Sequence, residues 1–216
     1  MRAERFQRIN RVLDRRQPDL TVLMEKVHKT HNLSAILRNC DAVGVLEAHA
    51  VPPDDGLDVH HGTSAGTQKW IRIHRHTDIE SAAAHLRERG FQLIAAHPSP
   101  DAVDYRKIDF TGPTALMMGT ELYGASRQAL ALADRHVALP MVGMARSLNV
   151  SVATALLLYE AHRQRDEAGL YDSSRLDPDL RRETLFEWVY PELAPLYRAD
   201  GRRMPDLDES GALLPE

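Results

Sequence analysis

Short apolar runs alternating with helix-patterned segments fill the middle of this 216-residue chain. Residues 20–24, 46–51, 70–74, 91–96, 114–118 and 137–141 read as strands, most of them nearly continuous in apolar side chains. That is how a strand covered on both faces must look. Between the strands, Leu33, Ile36, Leu37 and Cys40 recur at helical spacing, with Asn32 placed to cap the helix and Gly44 to end it. Thr77 and Glu80 have capping-box spacing before a helix over 82–89, and Gly90 sits at its expected C-terminal cap. Ser126 opens a helix running to Asp134, and residues 150–167 form a long helix ending near Gly169. Strands alternating with helices predict an α/β fold with a mostly parallel sheet over about 20–168.

The flanks differ. Phe6, Ile9, Val12 and Leu13 predict an amphipathic helix over 3–16, within an N-terminal basic helical extension over 1–19. Residues 169–216 read as a C-terminal helical extension with a helix over 177–189, then a loosely held acidic tail beyond Pro191. The net charge is −4, but residues 1–30 carry +4 and residues 166–216 carry −7. A basic arm on a near-neutral core suits local phosphate binding better than the total suggests. No apolar run approaches the ~20 residues of a membrane helix, and the N-terminus lacks a secretory apolar stretch. Cys40 is the only cysteine, so neither an intrachain disulfide nor a multi-cysteine zinc site can form. These features predict a cytoplasmic protein that does not engage a membrane.

Several familiar motifs are missing. There is no G-x-G-x-x-G after the first strand and no P-loop. Gly62 to Gly66 spells G-x-S-x-G around Ser64, but a nucleophile elbow needs a strand before that serine, and a long polar loop precedes it. The pairs His28 with His31, His60 with His61 and His74 with His76 lack metal-ligand spacing with a carboxylate. They read as scattered surface or capping histidines, and no metal is expected.

Three segments carry polar groups that suit a ligand site, although a surface arginine, an ordinary strand-to-helix turn and a doubly capped helix start would each account for one of them without a ligand. On the first helix, Asn32 and Arg38 stand six residues apart among apolar neighbours, and an arginine on a buried helix needs an anion or a carbonyl. In residues 118–124, Gly119 follows an apolar strand, and glycine there lets a ligand approach the backbone. In residues 139–153, a strand passes through a Pro/Gly loop into a helix whose start is crowded by Ser147 and Asn149, where one cap would suffice. Leu139, Met141 and Leu148 could sandwich a flat ring.

In this order and spacing, the three segments resemble the motifs of the SpoU/TrmH (SPOUT) family of RNA ribose 2′-O-methyltransferases. The resemblance spans about residues 5–195. Residues 15–22, 41–45 and 160–165 resemble the branch acting on guanosine 18 of the tRNA D-loop. Ala145 and Arg146 depart from that branch, which usually has Val-Gln there. The resemblance implies a deep C-terminal trefoil knot, a homodimer with its site near the subunit interface, S-adenosyl-L-methionine as cofactor and tRNA as partner. It implies that Ala96, Gly119, Leu139, Met141 and Leu148 line the cofactor, and that Arg38, Asn32, Glu121, Ser147 and Asn149 form the catalytic set. Arg8, Arg11, Arg15 and Arg16 are the expected RNA contacts, and the loop 61–66 is expected to approach the target ribose. Methylation of rRNA or of another tRNA position, and a non-catalytic RNA-binding role, are the alternatives.

In the family, the arginine matching Arg38 is assigned to activate the 2′-OH. A free guanidinium has a pKa above 12 and is a poor base. Either burial and a neighbouring cation lower its pKa, or Arg38 stays charged, stabilises the forming alkoxide and grips the adjacent phosphate. The second reading is the better physical one.

Overall fold

Six of seven parallel strands take up the apolar runs of the central segment, and the seventh is a two-residue strand outside them. The computed structural model describes residues 2–53, 69–120 and 122–214. In chain order its elements are α1 (Ala3–Asp14), β1 (Leu20–Glu25), α2 (Thr30–Ala42), β2 (Glu47–Val51), β3 (Arg72–Arg75), α3 (Ile79–Glu88), β4 (Gln92–Ala96), β5 (Val103–Asp104), β6 (Thr114–Met118), α4 (Arg127–Leu132), β7 (Arg135–Ala138), α5 (Val150–Glu167), α6 (Pro178–Val189) and α7 (Ala194–Ala199). The strand order is β3-β2-β1-β6-β4-β7-β5. No helix among the described residues is long and apolar enough to cross a membrane.

The chain divides into two compact units. One runs from Pro18 to Gly169, and the other joins the residues up to Gln17 with those from Leu170 onward. The two terminal extensions, expected as separate segments, thus cluster together.

In the sheet unit, β1 and β6 are buried along their whole length, and the pleat divides their side chains between two cores. Leu20, Val22 and Met24 face a core completed by Ile36, Leu37 and Cys40 of α2 and by Leu157, Leu158 and Ala161 of α5. Leu23, Ala115 and Met117 face another with Ile79, Ala82 and Leu86 of α3 and Ala129 of α4. Helices therefore cover both faces, as parallel strands require.

The terminal unit is more ordered than composition suggested. Phe186, Ala194 and Met204 form its core, and the Tyr190 hydroxyl donates to the Gly211 carbonyl at 2.8 Å. Beyond Pro191 the chain is therefore packed through α7 and Met204, not loosely held. Arg181 joins Asp14 at 2.6 Å, tying α6 to α1.

Local differences have local causes. Helix α2 begins two residues before Asn32, which is buried within it and caps nothing. Asp78 rather than Thr77 caps α3, accepting from the Ser81 N–H at 2.7 Å. Strand β7 covers Arg135–Ala138, so residues 139–141 belong to the following loop.

Four histidines, among them the His74 and His76 that read as scattered, converge at the β2–β3 edge. His49 and His74 are direct cross-strand partners, and their rings stack with centroids 4.9 Å apart. His49 Nδ1 lies 2.9 Å from His76 Nε2, and the His85 ring is 5.5 Å from that of His49. Stacked rings do not aim their in-plane lone pairs at one point, and no described cluster is arranged to hold a metal. Glu47 pairs with Arg89 at 2.9 Å and faces His74 at 3.5 Å.

His49 has no exposed surface, and its Nε2 is buried without a hydrogen-bond partner. Burial, then the nearby His74 and His76, push its pKa down to about 3. Burial alone would raise Glu47, but the hydrogen bond to His74 and the Arg89 charge hold it at about 2. Both folded values lie below the unfolded ones, so stability is complete above about pH 6.5 and drains as pH falls. For one proton the slope is roughly 1.4 kcal/mol per pH unit. The melting temperature is expected to fall by roughly 5 °C between pH 7.5 and pH 5. That fall should shrink in His49→Gln; an undiminished fall would place the acid sensitivity elsewhere.

Candidate active site

All seven strands run the same way, so their C-terminal ends share one edge of the sheet, where open α/β folds bind ligands. There the chain forms a cleft of about 270 Å³. Its walls are strand ends and loops: Ala96 ends β4, Gly119 and Thr120 follow β6, Leu139 follows β7, and Met141, Arg146, Ser147 and Leu148 come from the loop before α5. Val150 and Ala153 of α5 also line it.

Gly119 is dictated by backbone crowding. A Cβ there would lie 2.1 Å from Gly124 and Ala125 backbone atoms. The turn folds tightly back, with the Thr120 N–H donating to Gly124 O at 2.8 Å and the Gly124 N–H to Thr120 O at 2.9 Å. Gly124 adopts φ +70°, which favours glycine. The Ser126 N–H donates to the buried Glu25 carboxylate at 2.9 Å, anchoring the far end of the turn to β1. The Ser126 hydroxyl caps α4 as expected, accepting from Ala129 at 3.0 Å.

The loop from Pro140 to Asn149 is exposed along its length. Asn149 anchors its end. Its Oδ1 caps α5 by accepting from the Ser151 N–H at 2.8 Å, while its Nδ2 donates to Asn32 Oδ1 at 3.1 Å. Asn39 Nδ2 donates to the Ser151 carbonyl at 3.0 Å. Two asparagines of α2 thus hold the start of α5.

Ala96, Gly119, Leu139, Met141, Leu148 and Ser147 therefore meet at one cleft. Asn149 stands at its margin with Asn32 behind, and neither lines it. Arg38 is exposed on α2 and does not line the cleft either, which matches the surface arginine rather than the buried one, the two readings its sequence allowed. Glu121 and the loop 61–66, with Ser64, lie outside the described residues. His97 and Tyr123 are lining residues that sequence reasoning missed, while Arg146, read from sequence as a departure from the family pattern, lines the cleft too. His97 follows Ala96 directly, so the strand-end rule would have found it.

In the terminal unit, Arg8, Arg11 and Arg15 are exposed. Arg16 requires correction as an RNA contact. It has no exposed surface, and its guanidinium stacks 5.1 Å from the Trp188 ring centre, so phosphate cannot reach it in this unit.

Comparison with known proteins matches residues 19–159 to the SpoU rRNA Methylase family and residues 163–215 to the C-terminal model of SpoU rRNA methylases. A tRNA (guanosine(18)-2′-O)-methyltransferase of Thermus thermophilus is 56% identical over 185 residues, spanning 86% of this chain and 95% of that protein. The crystal structure of the Aquifex aeolicus TrmH/SpoU tRNA modifying enzyme superposes with TM-score 0.82 at 39% identity, covering 88% of this chain and 97% of that one. The SpoU methyltransferase AviRb from Streptomyces viridochromogenes, solved with the cofactor AdoMet, matches with TM-score 0.62 at 28% identity, over 70% of this chain and 62% of that one.

Substituting Gly119→Ala is expected to dislodge the turn over 119–125. Calorimetry should then show S-adenosylhomocysteine binding weakened tenfold or more, about 1.4 kcal/mol. Wild-type affinity in that variant would remove the turn from the ligand site.

Proposed function

This chain belongs to the SpoU rRNA methylase family, and from that premise we propose that it methylates the ribose 2′-OH of guanosine 18 in the tRNA D-loop, using S-adenosylmethionine. The observation that carries this reading is the gathering of Ala96, Gly119, Leu139, Met141 and Leu148 at one cleft on the carboxyl edge of the sheet. The relatives bearing that activity match over most of the chain, which favours tRNA over rRNA as substrate.

The cleft fits the cofactor. Leu139, Met141 and Leu148 offer apolar surface to an adenine, the Cβ-free Gly119 admits close backbone approach, and Thr120 and Ser147 offer hydroxyls. When bound, S-adenosylmethionine supplies an electrophilic methyl group on its sulfonium. The chain aligns the ribose oxygen with it. The Arg38 guanidinium stabilises negative charge forming on that oxygen as the hydroxyl proton passes to solvent, and it grips the neighbouring phosphate. Asn32 and Asn149 hold the loop bearing Ser147.

Arg38 stands outside the cleft of its own chain, so the reading requires a second copy to bring it there. Support for a homodimer comes from α5, where Val152, Leu156 and Tyr159 form an exposed apolar stripe at helical spacing, and from Val142 and Met144, which are fully exposed. A trefoil-knotted C-terminal part and work in the cytoplasm belong to the same reading. The exposed Arg8, Arg11 and Arg15 of α1 serve as phosphate contacts.

Labelled S-adenosylmethionine, incubated with unmodified tRNA and rRNA transcripts, tests the substrate. Label is expected at the D-loop guanosine; label on rRNA alone would overturn the assignment. Arg38→Ala should lose turnover at least a hundredfold with cofactor affinity nearly kept. At a cofactor concentration too low to load Gly119→Ala, mixing Arg38→Ala with Gly119→Ala chains should restore about a quarter of wild-type activity, since half the dimers hold one complete site. No restoration would place Arg38 in its own chain's site. Alanine at Arg8, Arg11 or Arg15 should each lower the salt slope of tRNA binding by about 1.

A further inference from the structure

The described lining of the cleft holds one side chain with a fixed charge, Arg146. No aspartate or glutamate among the described residues lines it. The other polar side chains there are the hydroxyls of Thr120, Ser147 and Tyr123 and the imidazole of His97. Arg146 itself is exposed and pairs with no described residue, so folding does not account for its guanidinium.

The ligand that fits this cleft is chemically lopsided. Its adenine is flat and uncharged, which suits Leu139, Met141 and Leu148. Its amino-acid tail ends in an α-carboxylate, the only anionic group it carries. A carboxylate leaving water for a half-enclosed cleft needs donors, and charge-assisted ones compensate best. Arginine presents a planar fork matched to two carboxylate oxygens. Arg146 adjoins Ser147 and Leu148, so one short stretch of loop offers a cation, a hydroxyl and an apolar wall.

We infer that Arg146 holds the α-carboxylate of the cofactor's methionyl portion, and so sets the preference of the cleft for the intact amino-acid tail. This rests on the methyltransferase reading, and it adds a ligand contact for which that reading names no residue. Arg146 would then favour S-adenosylmethionine and S-adenosylhomocysteine over adenosine thioethers lacking the tail.

The test is calorimetric binding of two ligands to two full-length chains, wild type and Arg146→Gln. S-adenosylhomocysteine carries the carboxylate; 5′-methylthioadenosine has the same nucleoside and sulfur without it. Wild type should bind the first more tightly. Arg146→Gln should lose about tenfold for S-adenosylhomocysteine and less than twofold for 5′-methylthioadenosine, whose retained binding reports an intact cleft. Arg146→Lys should recover part of the loss. Equal losses for both ligands, or none for either, overturn the inference. A loss confined to tRNA affinity overturns it too and assigns Arg146 to phosphate. In those cases wild-type binding of S-adenosylhomocysteine leaves the methyltransferase reading standing, whereas a wild type that binds neither ligand overturns both.

Discussion

Arg165 is fully buried, and its guanidinium spends its donors on the groups around it. Nε donates to the Phe110 carbonyl at 2.8 Å, Nη1 to Asp19 Oδ1 at 2.7 Å, and Nη2 to the Gly112 carbonyl at 2.7 Å and the Asp19 carbonyl at 3.1 Å. Asp19 leads into β1, and Phe110 and Gly112 lead into β6. Beside it, Gln164 accepts from the Phe110 N–H and donates to the Ile108 carbonyl. A buried cation tolerates no vacancy, because losing its partner leaves an uncompensated charge. The C-terminal end of α5 is thereby fixed against the start of the two central strands.

That clamp acts at a distance. At about 1.5 Å per residue, the opposite end of α5 lies roughly 24 Å away, and there the helix start carries the loop that walls the cleft. Any tilt at Arg165 would be magnified at Leu148. The near end has its own restraint in the Asn149–Asn32 and Asn39–Ser151 hydrogen bonds. Both tie α5 to α2, whose apolar face fills the same core. The crowding of polar side chains at this helix start therefore has a mechanical reason. One amide of Asn149 caps the helix with its oxygen and grips the neighbouring helix with its nitrogen. Asn32 and Asn149 earn their place by holding the loop, while the cleft surface comes from their neighbours.

What could be read from sequence follows from how local each cause is. Strand β6 and helix α5 match their expected bounds, because an apolar run ending at a glycine and a helix opened by a capping asparagine are local signals. Strand β7 shifted because Arg135 and His136 pair with Ile94 and Ala95 of β4, a register no local pattern encodes. The apolar Leu139 and Met141, which looked like strand, are apolar for the cleft. The histidine cluster was invisible for the same reason, since parallel pairing joins His49 to His74 across a long connection. Arg15 and Arg16 are adjacent, yet one is exposed and the other lies under Trp188, a contact made by the far end of the chain. The five cleft-lining positions were legible through family resemblance and the strand-end rule. Arg146 was legible as a departure, but only its place in the cleft gives it a task.

Two independent features of the single chain bear on the proposed dimer. On the proposed reading its cleft lacks Arg38, which is exposed on α2 and does not line it. Its surface also presents apolar groups that water does not favour, on α5 and on the loop before it. Neither fact alone argues strongly, since single exposed apolar residues are ordinary and a surface arginine needs no partner. Their combination is more demanding. Val152, Leu156 and Tyr159 belong to the same helix that Asn149 caps, and Val142 and Met144 belong to the loop that walls the cleft. Whatever covers this apolar stripe is therefore brought beside the cleft mouth. A second copy covering it would carry its own Arg38 on an exposed helix face. On the proposed reading, burial of the stripe and completion of the site would be one event.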